Sequence, residues 1–208
     1  MNPAWLLSAA LASSVLVGIG LSNFPAFTED IAATAHILPV LYCDKTIDQF
    51  VSVINGTDRA DHLVGTKHAD LIRGYGGDDR IFGYKGDDCI LGGDGDDVII
   101  GYAGDDYMDG ETGMDVVLGQ TGRDKILGGL DHDFLDGGSE DDHVDGGEGM
   151  DVLMGDIGAD NLSGGPGNDI MEGWDGNDQV DGGLGTDVAD GGKGRDSCVA
   201  ELKVRCEL

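Results

Sequence analysis

The chain has 208 residues, 41 of them Asp or Glu against only 12 Lys or Arg, which leaves a formal net charge of −29, and 38 are glycine. A chain this acidic repels nucleic acid and anionic membrane surfaces, so both are excluded as partners. It also lacks any G-x-S-x-G, H-E-x-x-H or G-x-x-x-x-G-K signature, so the usual markers of hydrolase and phosphate-loop chemistry are missing.

Taken from the amino end, residues 1–35 read as a secretory signal peptide. The run Ala4 to Leu21 is apolar with small residues, no charged side chain precedes Glu29, and Ala33-Thr34-Ala35 offers an A-x-A cleavage site. The competing reading is an uncleaved membrane anchor. Three serines and two glycines make that run marginal against the roughly 20 apolar residues a span needs. Export implies an extracellular or cell-surface location. Residues 36–55 form a lead-in, with Thr46-Ile47 and Phe50-Val51-Ser52-Val53-Ile54 rich in β-formers. Ile54 stands nine residues before Leu63 and is expected to be a strand that caps the open end of a repeat array beginning at Gly56.

From 56 to 199 the sequence counts in nines without insertion or deletion, sixteen units in all. Each unit opens with glycine, from Gly56, Gly65 and Gly74 through to Gly191, and carries aspartate at its sixth place. The fourth place is glycine except at Arg59, His68, Asp131 and Glu140, and the eighth is apolar throughout, from Leu63 and Ile72 to Ala189 and Cys198. The consensus is G-[G/Y]-x-G-[D/N]-D-x-U-x, with U aliphatic. This pattern, over about 70 % of the chain, resembles the repeats-in-toxin (RTX) calcium-binding family. The resemblance and the spacing together imply an all-β fold, a right-handed parallel β-roll. Nine residues make half a turn, so sixteen units give about eight coils rising roughly 38 Å, with loops alternating between two edges.

Within each unit, glycine at places one and four is expected to allow left-handed backbone, giving a tight loop whose carbonyls and amides turn inward. The last three places, x-U-x, are expected to form a short strand. Calcium wants six to eight oxygens and accepts both carboxylates and carbonyls, so a site is expected between two stacked loops. The expected ligands are Asp79, Asp88, Asp97, Asp106, Asp115, Asp124, Asp133, Asp142, Asp151, Asp160, Asp169, Asp178, Asp187 and Asp196. Seven loop pairs on each edge would allow up to roughly fourteen ions. The loops ending at Asp79, Asp88, Asp97 and Asp106 are closest to the ideal, whereas those ending at Asp61 and Asp70 lack the second glycine and read as starter turns without an ion. Asp131 and Glu140 at place four add charge at the cost of backbone strain. One buried aliphatic per nine residues falls short of the entropy of ordering nine, so the array is expected to stay disordered until a cation joins its loops.

The four cysteines are Cys43, Cys89, Cys198 and Cys206, an even number that in an exported chain suggests disulfides with three connectivities open. A Cys198–Cys206 bridge would fold the tail 200–208 over the last coil, and Cys43–Cys89 would tie the lead-in to an early one. The alternative leaves Cys198 as a small buried hydrophobe. Place seven of alternate units reads Val98, Val116, Phe134, Val152, Ile170 and Val188, while the intervening units give Tyr107, Lys125, His143, Asn161, Gln179 and Ser197. One sheet is thus expected to be apolar on both faces, and it becomes a docking face for a second copy, a partner or the lead-in. The alternative is β-propensity with tolerated exposure. Tyr75, Tyr84, Tyr102 and Trp174 stand at place two and are read as loop packing. Three functions rank in order: a secreted, non-enzymatic protein that folds on binding several Ca2+ ions, an adhesion or matrix module, and a polysaccharide-active enzyme.

Overall fold

The computed structural model describes residues 41–43 and 45–206, so the signal or anchor expected at the amino end lies outside the described residues. The array winds into a parallel β-solenoid of about eight turns, a β-roll. Successive strands alternate between two sheets, and residues eighteen apart are neighbours. Val98 pairs with Val116, Val116 with Phe134 and Phe134 with Val152 in one sheet, as Tyr107, Lys125 and His143 do in the other. Ser52–Asn55 of the lead-in joins the second sheet as its first strand, with Ile54 opposite Ile72.

Two faces of each strand divide the labour. The sixteen place-eight side chains, Leu63 to Cys198, point between the sheets and form one continuous cluster, nearly all of it fully buried. Their neighbours at places seven and nine face out, as the period of two requires. Contrary to the x-U-x expectation, strands between Arg80 and Ile157 run six residues, from place seven through place three of the next unit, as in Val98–Ala103 and Val116–Thr121. The loops are therefore not open rings of inward-turned amides. Gly95 N–H donates to Thr112 O at 2.8 Å and Gly104 N–H to Thr121 O at 3.0 Å. Loops eighteen residues apart share one backbone shape, so their polar groups meet as those of a ladder do. From Asn161 onward the regular strands shorten to three residues, such as Asn161–Ser163 and Ile170–Glu172.

The role assigned to the first glycine also needs correction. Positive φ falls at places two and four, not one: Tyr102 at place two has φ 77° and Gly104 at place four has φ 141°. Place one is glycine for lack of space. A β-carbon on Gly83 would lie 2.5 Å from Asp88 Oδ2 and 2.9 Å from the carbonyl oxygen of Gly101. Asp131 and Glu140, the two acidic residues at place four, do sit at positive φ, 78° and 79°.

The described part of the lead-in does not cover the apolar sheet. Phe50 packs on Leu71 and Cys89, outward residues of the second sheet, and Lys45 Nζ donates to the Asp87 carbonyl at 3.0 Å. Cys43–Cys89 and Cys198–Cys206 are both disulfides. At the other end, the tail is less a flap than a shortened seventeenth unit. Leu202–Val204 pairs in parallel with Val188–Asp190, Leu202 opposite Val188 and Val204 opposite Asp190, fourteen residues apart where the array uses eighteen. Four residues are missing from the preceding loop, leaving Ala200 and Glu201. Lys203 falls in the register of Ala189 and is exposed, so the aliphatic ladder stops there. Among the described residues no helix is long and apolar enough to cross a membrane.

Candidate metal centre

Place six comes after the loop and precedes the strand, so its side chain turns under its own loop instead of joining either sheet face. All fourteen expected ligands, Asp79 to Asp196, are at most 3 % exposed. One oxygen of each has the same partner: Oδ1 accepts the backbone N–H of the aspartate eighteen residues earlier, from Asp61→Asp79 at 2.7 Å through Asp88→Asp106 at 2.8 Å to Asp178→Asp196 at 3.1 Å. The other oxygen does not. In thirteen of them, Asp79 through Asp187, Oδ2 is buried without any hydrogen-bond partner. It points at the α-carbon of the unit's own first glycine, where the carbonyl of the glycine one coil on also points: at Gly92, a β-carbon would meet Asp97 Oδ2 at 2.4 Å and Gly110 O at 2.8 Å. Each loop pair thus brings a carboxylate oxygen and a carbonyl oxygen toward one narrow space.

The electrostatics say what this space lacks. Burial raises the carboxyl pKa values, with neighbouring aspartates adding to the rise and the N–H bond from the preceding coil opposing it. Asp106 and Asp142 reach about 8, Asp88, Asp115 and Asp133 about 7, and Asp97, Asp124, Asp160, Asp169 and Asp178 about 6. A buried, unpaired carboxylate is costly, on the order of several kcal/mol after relaxation. A row of them requires a counter-charge or protons.

The donor set fits a hard cation. It consists of oxygens only, with no thiol or imidazole in the row, and the orphaned Oδ2 atoms together with the glycine carbonyls are the atoms that would hold it. Among the described residues no three His, Cys, Asp or Glu side chains converge on one point. Place six brings one buried carboxylate per loop, so a cation there would draw on main-chain carbonyls as well.

Some of this arrangement is not legible in the pattern. The first two loops satisfy themselves: Thr57 donates both N–H (2.7 Å) and Oγ1–H (2.8 Å) to Asp61 Oδ2, and Thr66 N–H donates to Asp70 Oδ2. Both Oδ2 atoms thus have partners, unlike those from Asp79 to Asp187. The preference for Asp or Asn at place five also has a cause. These side chains accept the place-five N–H one coil on, as in Met114 N–H to Asp96 Oδ1 at 2.9 Å and Thr186 N–H to Asn168 Oδ1 at 2.9 Å. His132 Nδ1 does the same for Met150 at 2.8 Å. Adjacent loops are stitched in both directions, place six bonding backward along the chain and place five forward.

The model of the RTX calcium-binding nonapeptide repeat matches residues 55–89, 84–117, 109–144, 145–180 and 175–198, which together span the array. The chain belongs to the RTX calcium-binding nonapeptide repeat family. A search of curated proteins found no match. The aromatic residues at place two lie on the loops of the roll. Tyr84 and Tyr102 stack at 5.2 Å with planes 7° apart, while Trp174 is about half exposed.

Proposed function

We propose that this chain is a secreted calcium-binding RTX protein whose roll folds when Ca2+ enters between stacked loops, with Asp79 to Asp196 as the place-six ligands. The carrying observation is the row of thirteen buried carboxylate oxygens without partners. Held without a cation they oppose folding; with one between each pair of loops they become its strongest contacts. Each site whose Kd lies tenfold below ambient calcium contributes about 1.4 kcal/mol by linkage, so many weak sites act together. Residues 1–35 would be removed on export, 36–55 cap the roll, 56–199 carry the sites and 200–208 close it. The role is non-catalytic: calcium supplies structure, and the oxygens above bind and orient it.

The test is a calcium titration of the purified chain, read by circular dichroism and hydrodynamic radius. A cooperative gain of β-structure with a shrinking radius, reversed by chelator, is expected. Equal compactness in chelator and in calcium sinks the proposal.

A second reading, an adhesion or matrix module, is favoured by the outward ladder Val98, Val116, Phe134, Val152, Ile170 and Val188. Ile170 is 47 % exposed there, with no part of the described lead-in over it. Calcium-dependent retention of the chain on cell-wall material, lost on Val116→Ser and Val152→Ser, would support it. Retention unchanged by those substitutions would remove this face from consideration.

A further inference from the structure

The roll does not end where the nonapeptide count ends. After Val199 the chain drops four residues and then repeats backbone contacts of the coils before it. Leu202 N–H donates to Asp187 O at 3.0 Å, as Val188 N–H does to Asp169 O at 2.8 Å. Gly191 N–H donates to Val204 O at 3.0 Å, as Gly173 N–H does to Asp190 O at 2.8 Å. On the opposite edge the Arg205 carbonyl faces the α-carbon of Gly191, 2.7 Å from where a β-carbon would start, the distance at which Gly191 O faces Gly173, whereas the three atoms nearest the same point at Gly182 all belong to Asp187. In this shifted register the residue at place six is Glu201. It makes the place-six bond, although it is exposed where the aspartates are buried: Glu201 Oε2 accepts the Asp187 N–H at 2.9 Å, as the next aspartate does at the other coils.

Asp187 is left as its predecessors are, 1 % exposed with an Oδ2 that has no partner. Below it the edge already carries a carboxylate per loop, and above it Glu201 supplies the next. Two bonds hold the short turn in place: the Cys198–Cys206 disulfide, and the paired contact of the Arg205 guanidinium with the Asp190 carboxylate.

We propose that a further divalent-cation site closes this edge of the roll, between the loop Gly182–Asp187 and the shortened turn, with Glu201 as its outer carboxylate. It rests on the reading that the array binds calcium, and it adds a ligand from outside the nonapeptide pattern. The turn lacks the four residues that would have brought further carbonyls, so this site is weaker than those within the array and fills last.

The test is native mass spectrometry of the full chain across a calcium series, comparing wild type with Glu201→Gln and Lys203→Gln. The glutamine keeps an oxygen for the Asp187 N–H while removing the charge. Glu201→Gln is expected to carry one calcium fewer than wild type at saturation, with unchanged circular dichroism, while Lys203→Gln carries the full number. Equal ion counts in Glu201→Gln and wild type overturn the proposal. So does the same loss in both variants, which would trace it to the tail and not to the carboxylate. A wild-type chain that takes up no calcium at all would instead overturn the reading of the whole array, and this site with it.

Discussion

At the scale of the residue, neighbouring places in one loop demand opposite things of a side chain. Gly119 has an ordinary φ, but a β-carbon there would meet Asp124 Oδ2 at 2.3 Å and Gly137 O at 2.4 Å. Gln120, next to it, carries an exposed side chain but sits at φ 81°. Gly119→Ala should therefore destabilise the calcium-loaded roll by about 1–3 kcal/mol, the range for overpacking a tight site. Gln120→Gly should stabilise it by up to ~1 kcal/mol, the left-handed penalty less the extra entropy glycine loses. Denaturant midpoints in saturating calcium read both, and equal signs would refute this division of roles. The sequence made the period and the aspartate legible, because both recur without exception. It did not reveal why the first glycine is invariant, since a repeat reports that glycine is required without separating dihedral freedom from space. The clue was present at place two, where Tyr75, Tyr84, Glu111 and Trp174 occur at positive φ: that place takes glycine or a side chain, whereas place one takes glycine alone.

At the scale of the element, what escaped the pattern lies at the ends. The nine-residue count stops at Val199 because four residues are missing, and only the pairing of Leu202–Val204 with Val188–Asp190 shows that a coil continues. Likewise Leu71 and Cys89 are apolar at an outward place of the polar sheet, and their cover, Phe50, is visible only once the lead-in is folded over them. The two disulfides staple these ends across very different spans, 46 and 8 residues. By chain entropy alone the longer is worth about 4 kcal/mol and the shorter about 2.5 kcal/mol. Replacing Cys43 and Cys89 by alanine should raise the calcium midpoint of folding more than replacing Cys198 and Cys206, when both pairs are compared by circular dichroism. A larger shift for the shorter staple would mean that the closing coil, not the lead-in, limits the fold.

At the scale of the whole molecule, the aspartate row couples folding to protons as well as to metal, with opposite signs. The folded roll without metal holds Asp88, Asp115 and Asp133 at about 7 and Asp106 and Asp142 at about 8, against an ordinary carboxyl value of 3.8. Between roughly pH 4 and 8 the folded form thus binds more protons than the unfolded one, and its stability falls as pH rises through that window. Protonation removes the buried charges in the same way that a cation offsets them, but it also removes the ligands that calcium needs. In chelator, the chain should gain β-structure on acidification toward pH 4 and lose it on return to neutral. In calcium the folded form should persist at pH 7, and the calcium midpoint should rise as pH is lowered. Circular dichroism over pH 4–8, with and without calcium, measures both limbs. Metal-free β-structure that rose with pH would contradict the burial of unpaired carboxylates on which the calcium reading rests.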